Sequence, residues 1–209
     1  MEITQLSIDE FIHDLASKTP TPGGGSAAAV IAAMAAALVS MVANLTIGKK
    51  DYAFVETQMQ ELLTQSTSLR QELLDLIHAD IEAFNQVMAA YKQPKTTDDG
   101  DNKKRSEAIQ SALKTATDVP LQCAEACRSV MRLSKIAAEI GNKNVVSDAG
   151  VAVLAAQAAL RSSALNVYIN IGYISDKDFT KSREDKLDLL LDGADAETEE
   201  IYQLVKNKL

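Results

Sequence analysis

Residues Thr19 to Lys50 read TPTPGGGSAAAVIAAMAAALVSMVANLTIGKK. The fold class turns on this stretch. The rings of Pro20 and Pro22 fix φ and disfavour helix just upstream. Gly23, Gly24 and Gly25 permit a tight turn and a close approach of other groups to the backbone. Ser26 then opens 22 residues, to Ile47, without a charge, nine of them alanine. An uncharged run with the helix-forming bias of alanine reads as one long helix. Ser26 is the expected N-cap and Gly48 the expected stop, with Lys49 and Lys50 at the negative end of the dipole. A helix apolar on every side belongs inside a bundle. Its length would also span a bilayer. Alanine contributes little to insertion, however, and no second span of equal quality accompanies it, so a membrane role is not expected. A glycine turn feeding a helix start also presents free N–H groups to an anion or a carboxylate.

Outward from this helix, the chain keeps helical periods. Ser7 and Glu10 have capping-box spacing, and Ile8, Phe11 and Leu15 form one face of a short flanking helix ending near Ser17. From about Asp51 to Tyr91, the residues Leu62, Leu69, Leu73, Ile77, Phe84, Val87 and Tyr91 recur at the helical period. Position 80 falls on the same line and is Asp. A carboxylate on an apolar stripe is either satisfied by a local partner or held in a cleft with a perturbed pKa. His78 lies off that line and is read as surface; His13 is given no role.

Lys92–Lys103 is the one long polar stretch and reads as a loop able to close over a site, with Lys95 in reach of an anion. A helical region follows over Lys104–Ile140. Pro120 is expected to break or bend it near Asp118. Gly141–Asn144 is a turn, and Ser147 or Asp148 caps a second apolar helix reaching Ile171. Asn166 and Asn170 stand one turn apart in it, and such amides need partners. After a short connection at Ile174–Lys177, an amphipathic segment with a break near Gly193 ends the chain. The expectation is an all-α single domain over residues 1–209, a bundle of six to eight helices around a central alanine-rich helix.

Composition narrows the functions. The 209 residues carry a net charge of −8, which argues against nonspecific binding of nucleic acid. Cys123 and Cys127 lie one helical turn apart and read as reduced core thiols of a cytoplasmic protein. The two histidines, His13 and His78, lack ligand spacing to them, so no metal site is expected.

Several segments are similar to one family in order and spacing: Thr21-Pro-Gly-Gly-Gly-Ser-Ala-Ala28, Gly48-Lys-Lys50 with Tyr52, Asp80-Ile-Glu-Ala-Phe-Asn85, Gln93-Pro-Lys95, Ala108-Ile-Gln110, Gly141-Asn-Lys-Asn144, Ser147-Asp-Ala-Gly-Val151 and Asn166-Val-Tyr-Ile-Asn170. The chain resembles the cyclodeaminase/cyclohydrolase family of folate enzymes, which comprises the C-terminal domain of formiminotransferase-cyclodeaminase and its free-standing bacterial relatives. The likeness is weakest after Ser175. It implies an all-helical homodimer without metal or redox cofactor, acting on a tetrahydrofolate derivative. One implied activity is cyclodeaminase, converting 5-formiminotetrahydrofolate to 5,10-methenyltetrahydrofolate and ammonia. The other is cyclohydrolase, opening methenyltetrahydrofolate with water to 10-formyltetrahydrofolate. The first is the preferred expectation, with a separate formiminotransferase supplying the substrate. On this likeness Asp80 is the acid or base, with Asp148 and Lys49 in support. Gly23, Gly24, Gly25, Ser26, Lys95, Asn144 and Ser147 are expected to contact substrate. A helical dimerisation protein without enzymatic activity is the alternative from another class.

Overall fold

The structure, a computed structural model, describes residues 3–209. Among them are seven α-helices: α1 Ile8–Leu15, α2 Gly24–Asn44, α3 Glu56–Lys92, α4 Asp99–Ile140, α5 Val146–Ile171, α6 Lys177–Leu191 and α7 Ala194–Lys206, with short 3₁₀ turns at Ile3–Gln5, Lys50–Val55 and Lys143–Val145. Helices α2 to α5 form an up-down-up-down bundle in which each packs on its sequence neighbour and α5 closes against α2. Short connections between long helices make antiparallel neighbours the natural solution. α6 and α7 lie on the outside of α4 and α5.

α2 is at the centre. Ala32, Ala35, Ala36, Val39, Val42 and Ala43 are fully buried. With only methyl groups between them, neighbouring backbones approach closely, and packing interiors to crystal-like density leaves little room for larger side chains. α2, and α5 together with the 3₁₀ turn before it, are both long and apolar enough to cross a membrane by length and composition. Here both lie in the bundle, and their packed faces meet other helices. Where α2 meets α3, the buried hydroxyls of Ser40 and Ser66 share a 2.7 Å hydrogen bond. Ser40 also reaches the Ala36 carbonyl, so neither group is left unpaired in the core.

Several boundaries differ from the sequence reading. α2 starts at Gly24 with Gly23 at the N-cap, so Ser26 lies inside the first turn and is not a cap. Gly48 is not the helix stop: α2 ends at Asn44 with Leu45 at the C-cap, and Gly48 lies in the turn beyond it, at a φ of +72° that suits glycine. α3 begins at Glu56, after the 3₁₀ turn, whereas a start near Asp51 was expected. α4 begins at Asp99 because Asp98 caps the N–H groups of Gly100 and Asp101, which shortens the polar loop to residues 93–98. The expected cap by Ser147 or Asp148 is not made. α5 begins two residues earlier than a Ser147 cap would place it, after Val145, and both residues sit in its first turn. The capping box at Ser7 and Glu10 is present, yet α1 buries no residue, and Ile8 and Ile12 on its apolar face stay exposed. His78 is half-buried beside Thr4, not on the open surface, with 3.1 Å between Oγ1 and Nε2. Cys123 and Cys127 are buried free thiols.

Pro120 does not break α4, which runs continuously from Asp99 to Ile140. A proline at position 120 removes the N–H that would serve the carbonyl four residues back, at Ala116. Asn170 of α5 supplies the missing donor: its Nδ2 donates to the Ala116 carbonyl at 2.6 Å. The side chain of one helix thus repairs the backbone of the next, as the accounting of buried carbonyls requires. Asn170→Ala is expected to cost about 1–2 kcal/mol in urea unfolding. In a Pro120→Ala background the same change is expected to cost less, because the helix then supplies its own donor; equal costs in the two backgrounds count against the repair.

Candidate active site

A cavity of about 530 Å³ opens where the N-terminus of α2 meets α3, α4 and α5. That size suits a ligand of a few tens of atoms. Gly23, Gly24 and Gly25 form one edge, reached through Pro20, Thr21 and the cis Thr21–Pro22 peptide. Phe84, Val87 and Tyr91 of α3 and Ile169 of α5 form apolar walls. Of the expected apolar stripe on α3, the C-terminal part therefore faces a cavity and not the core. The first N–H groups of α2 have no intrahelical partner, so the glycine edge offers donors.

Asp80 is the only acidic or basic side chain lining this cavity among the described residues. Its position depends on Gly25. An ideal Cβ on Gly25 would lie 2.6 Å from the carboxylate carbon of Asp80 and closer still to Oδ1, so any side chain there would displace the carboxylate. Ser26, fully buried, donates its hydroxyl to Asp80 Oδ2 at 2.7 Å. Burial pushes the Asp80 pKa above the ordinary carboxylate value, while the hydroxyl and then the backbone N–H of Ser26 pull it part of the way back. The outcome is an oriented carboxylate with a raised pKa, a stronger base than an exposed aspartate and suited to proton transfer.

Two amides complete the polar lining. Asn166 Nδ2 donates to the Ser162 carbonyl at 2.9 Å, and Asn170 Nδ2 to Ala116 as described above. The Asn166 amide lies against Gly24, its Oδ1 3.7 Å from where a Cβ on that glycine would be. The sequence marks both by their one-turn spacing on an apolar helix. Tyr173, just beyond α5, lines the mouth and carries no comparable signal.

The structure thus brings together Gly23, Gly24, Gly25 and Asp80, with Ser26 directly behind the carboxylate. It does not bring the remaining candidates to them within one chain. Lys49, Asn144, Ser147 and Asp148 lie at the other end of α2, about 30 Å away along its 21 residues. There Asn142 donates Nδ2 to the Leu45 carbonyl and its backbone N–H to Thr46 Oγ1, and Tyr52 accepts from the Lys143 N–H. Lys49, Asn144 and Ser147 are exposed, and Asp148 is half-buried. Lys95 is exposed in the loop between α3 and α4 and is not among the cavity residues. No three His, Cys, Asp or Glu side chains among the described residues converge as a metal site would require.

Fold and cleft together define an enzyme of the all-α bundle class, with one poised carboxylate in a largely apolar small-molecule pocket. The chain belongs to the formiminotransferase-cyclodeaminase family, whose profile matches residues 7–189. It is 54% identical over 203 residues to the methenyltetrahydrofolate cyclohydrolase of Methylorubrum extorquens, covering 97% of each chain. It is 31% identical over 192 residues to the formimidoyltransferase-cyclodeaminase of Rattus norvegicus, covering 92% of this chain but 35% of that longer protein. Among solved structures, the formiminotetrahydrofolate cyclodeaminase of Thermotoga maritima superposes with a TM-score of 0.84 at 36% identity, covering 100% of this chain and 98% of that one. These relatives are enzymes, which removes the alternative of a helical dimerisation protein without activity.

Three outcomes follow from the Asp80 geometry. Gly25→Ala is expected to lower turnover by about 10²-fold or more with the helical circular dichroism unchanged, because it displaces the carboxylate. Ser26→Ala removes a hydrogen bond to the ionised form. The acid limb of its pH–rate profile is therefore expected to lie at higher pH than in the wild type, and an unmoved limb counts against the contact. For stability the sign is reversed. Between the ordinary carboxylate pKa and the raised native one, the folded chain holds a proton that the unfolded chain has released, so stability falls as pH rises through that window and stays at the lower level above it. Asp80→Asn is expected to abolish turnover and to leave the neutral-pH Tm unchanged or a few degrees higher, about the shift that 1 kcal/mol produces.

Proposed function

We propose that the protein is a methenyltetrahydrofolate cyclohydrolase. The observation that carries this reading is the single carboxylate: one base suffices to activate water, and among the described residues of one chain the cavity holds no second carboxylate, and no lysine or histidine, to serve an ammonia leaving group. The relative of matching length at 54% identity, which bears that name, supports it. The substrate carries a positive charge spread over N5, the methenyl carbon and N10. Asp80 faces that cation in a pocket of low polarity, where the attraction is stronger than in water. Its carboxylate takes a proton from a water molecule as the oxygen bonds to the methenyl carbon, giving a neutral tetrahedral adduct. Asp80 then returns that proton to N5 as the C–N5 bond breaks. The adduct hydroxyl loses its proton to solvent and becomes the formyl oxygen on N10. Atoms and charge balance: cation plus water gives 10-formyltetrahydrofolate and one proton.

The cyclodeaminase remains as a second reading, favoured by the 0.84 TM-score to an enzyme of that name. On that reading a separate formiminotransferase supplies the substrate, and a second acid is needed at the leaving nitrogen. Such an acid is available from a second copy. We infer that the working unit is a homodimer about a two-fold axis crossing α2 near its midpoint. Met34 and Met41 of α2 and Val151, Leu154 and Leu165 of α5 form exposed apolar stripes on two neighbouring helices. Such an axis runs the two α2 helices antiparallel. It sets Lys49 and Asp148 of one copy against the Gly23–Gly25 and Asp80 end of the other.

Supplying purified protein separately with methenyl- and formimino-tetrahydrofolate, and following the methenyl absorbance, tests the activity. Loss of absorbance with the first and no gain with the second is expected. A gain from the formimino compound, with ammonia release, makes the protein the deaminase. For the dimer, sedimentation is expected to give twice the chain mass. On the deaminase reading, where Lys49 is the second group, mixing Asp80→Asn and Lys49→Ala chains, each inactive alone, is expected to restore about a quarter of the wild-type rate, since half the random dimers then hold one intact site. No recovery on mixing counts against a shared site.

A further inference from the structure

The cavity holds a feature that neither the reaction nor the dimer uses: two amide oxygens on one helix, each turned by a hydrogen bond from its own NH2 group to a backbone carbonyl. Asn166 Nδ2 is held by the Ser162 carbonyl and Asn170 Nδ2 by the Ala116 carbonyl. A carbonyl accepts and does not donate, so each amide must turn its nitrogen toward it and its oxygen away. Neither Oδ1 receives a hydrogen bond from the described residues, and neither is sealed in the interior as Ser163 Oγ is. Both side chains line the cavity. At four residues' separation their Cβ atoms are about 5–6 Å apart. An exocyclic –NH2 group on a flat ring carries two hydrogens about 120° apart; two acceptors at ordinary hydrogen-bond length from it lie about 5 Å from each other. Side chains at that spacing can place their two oxygens at such a separation.

We infer that Asn166 and Asn170 form a paired acceptor for an exocyclic amino group on the ligand's ring. On the folate reading, on which this rests, that group is the 2-amino group of the pterin. The glycine edge sets the direction of the ring: Gly24 lies against Asn166 and Gly25 against Asp80, so a bicycle laid across it has its amino end at the amides and its reacting end at the carboxylate. Asn170 is thereby bound to two tasks. The same amide that repairs α4 at Pro120 has its oxygen oriented by that repair, so the proline acts on the site through Asn170. The pocket selects a ring with an NH2 donor over one of the same shape without it, because the isostere leaves two acceptors unpaired.

The test compares methenyltetrahydrofolate with its analogue carrying methyl in place of the 2-amino group, using the full-length protein and steady-state kinetics. The wild type is expected to prefer the parent by about 100-fold or more in kcat/KM. Asn166→Ala is expected to raise KM for the parent about 10- to 100-fold, with a smaller change in kcat, and to reduce the preference to about threefold or less. Asn170→Ala is made in the Pro120→Ala background, so that lost helix repair does not masquerade as lost binding; the same loss of preference is expected. A merely structural role for either amide would lower activity on both compounds alike and leave the preference intact, and that result overturns the inference. So does a wild type that turns over the parent without preferring it, while the folate reading stands. If the wild type turns over neither methenyl- nor formimino-tetrahydrofolate, the folate reading falls, and the inference with it.

Discussion

The carboxylate of Asp80 occupies the space that a side chain at residue 25 would fill if that residue were not glycine. Because Gly25 has none, α3 carries a charged group directly against the first turn of α2, and Ser26 closes a 2.7 Å hydrogen bond onto it. Much else in the molecule follows from this contact. It holds the start of the central helix against the middle of α3 and defines the floor of the cavity. It also makes burial tolerable for a carboxylate that would otherwise shed its charge. The raised pKa is the residue of that compromise: desolvation outweighs one hydroxyl and one backbone N–H.

A site of this kind sits on rigid elements. Asp80, Asn166 and Asn170 all stand on helices longer than 25 residues, and the glycine edge is the first turn of the most buried helix. Small side chains make this possible. Alanines along α2 and α5 let the helices approach closely, and the cavity opens at the end of the bundle that Phe84 and Tyr91 line. Core packing and pocket are thus one arrangement seen at two levels of the same bundle. The repair of Pro120 by Asn170 shows the same economy, since a backbone defect in α4 is satisfied by a residue whose other face meets the cavity.

Much of this was legible in the chain. The uncharged run from Ser26 to Ile47 announced a central helix, and the break of period at position 80 singled out the carboxylate. The one-turn spacing of Asn166 and Asn170 was visible, although the donors that orient them were not. The expected roles of Ser26 as a cap, and of Ser147 or Asp148 as the cap of α5, came from local preference. Each was displaced by a neighbour in space: Ser26 serves Asp80, and α5 begins after a 3₁₀ turn secured to Thr46 and Tyr52. Phe84, Val87 and Tyr91 carried the periodicity of core residues because a stripe facing an apolar cavity has the same period as one facing another helix.

The sequence by itself determined the all-helical class, the identity of the central helix and the anomalous carboxylate. Those properties are written in periods, charges and turn residues that act over a few positions along the chain. Tertiary structure alone decided which candidates share a site. Gly23, Gly24, Gly25 and Asp80 meet, whereas Lys49 and Asp148 stand a helix length away, because an antiparallel bundle pairs the start of one helix with the end of the next. Sequence separation carries no information about that pairing. Twenty-one residues of rigid helix keep Lys49 from Asp80 as firmly as the Gly25 contact holds Ser26 beside it.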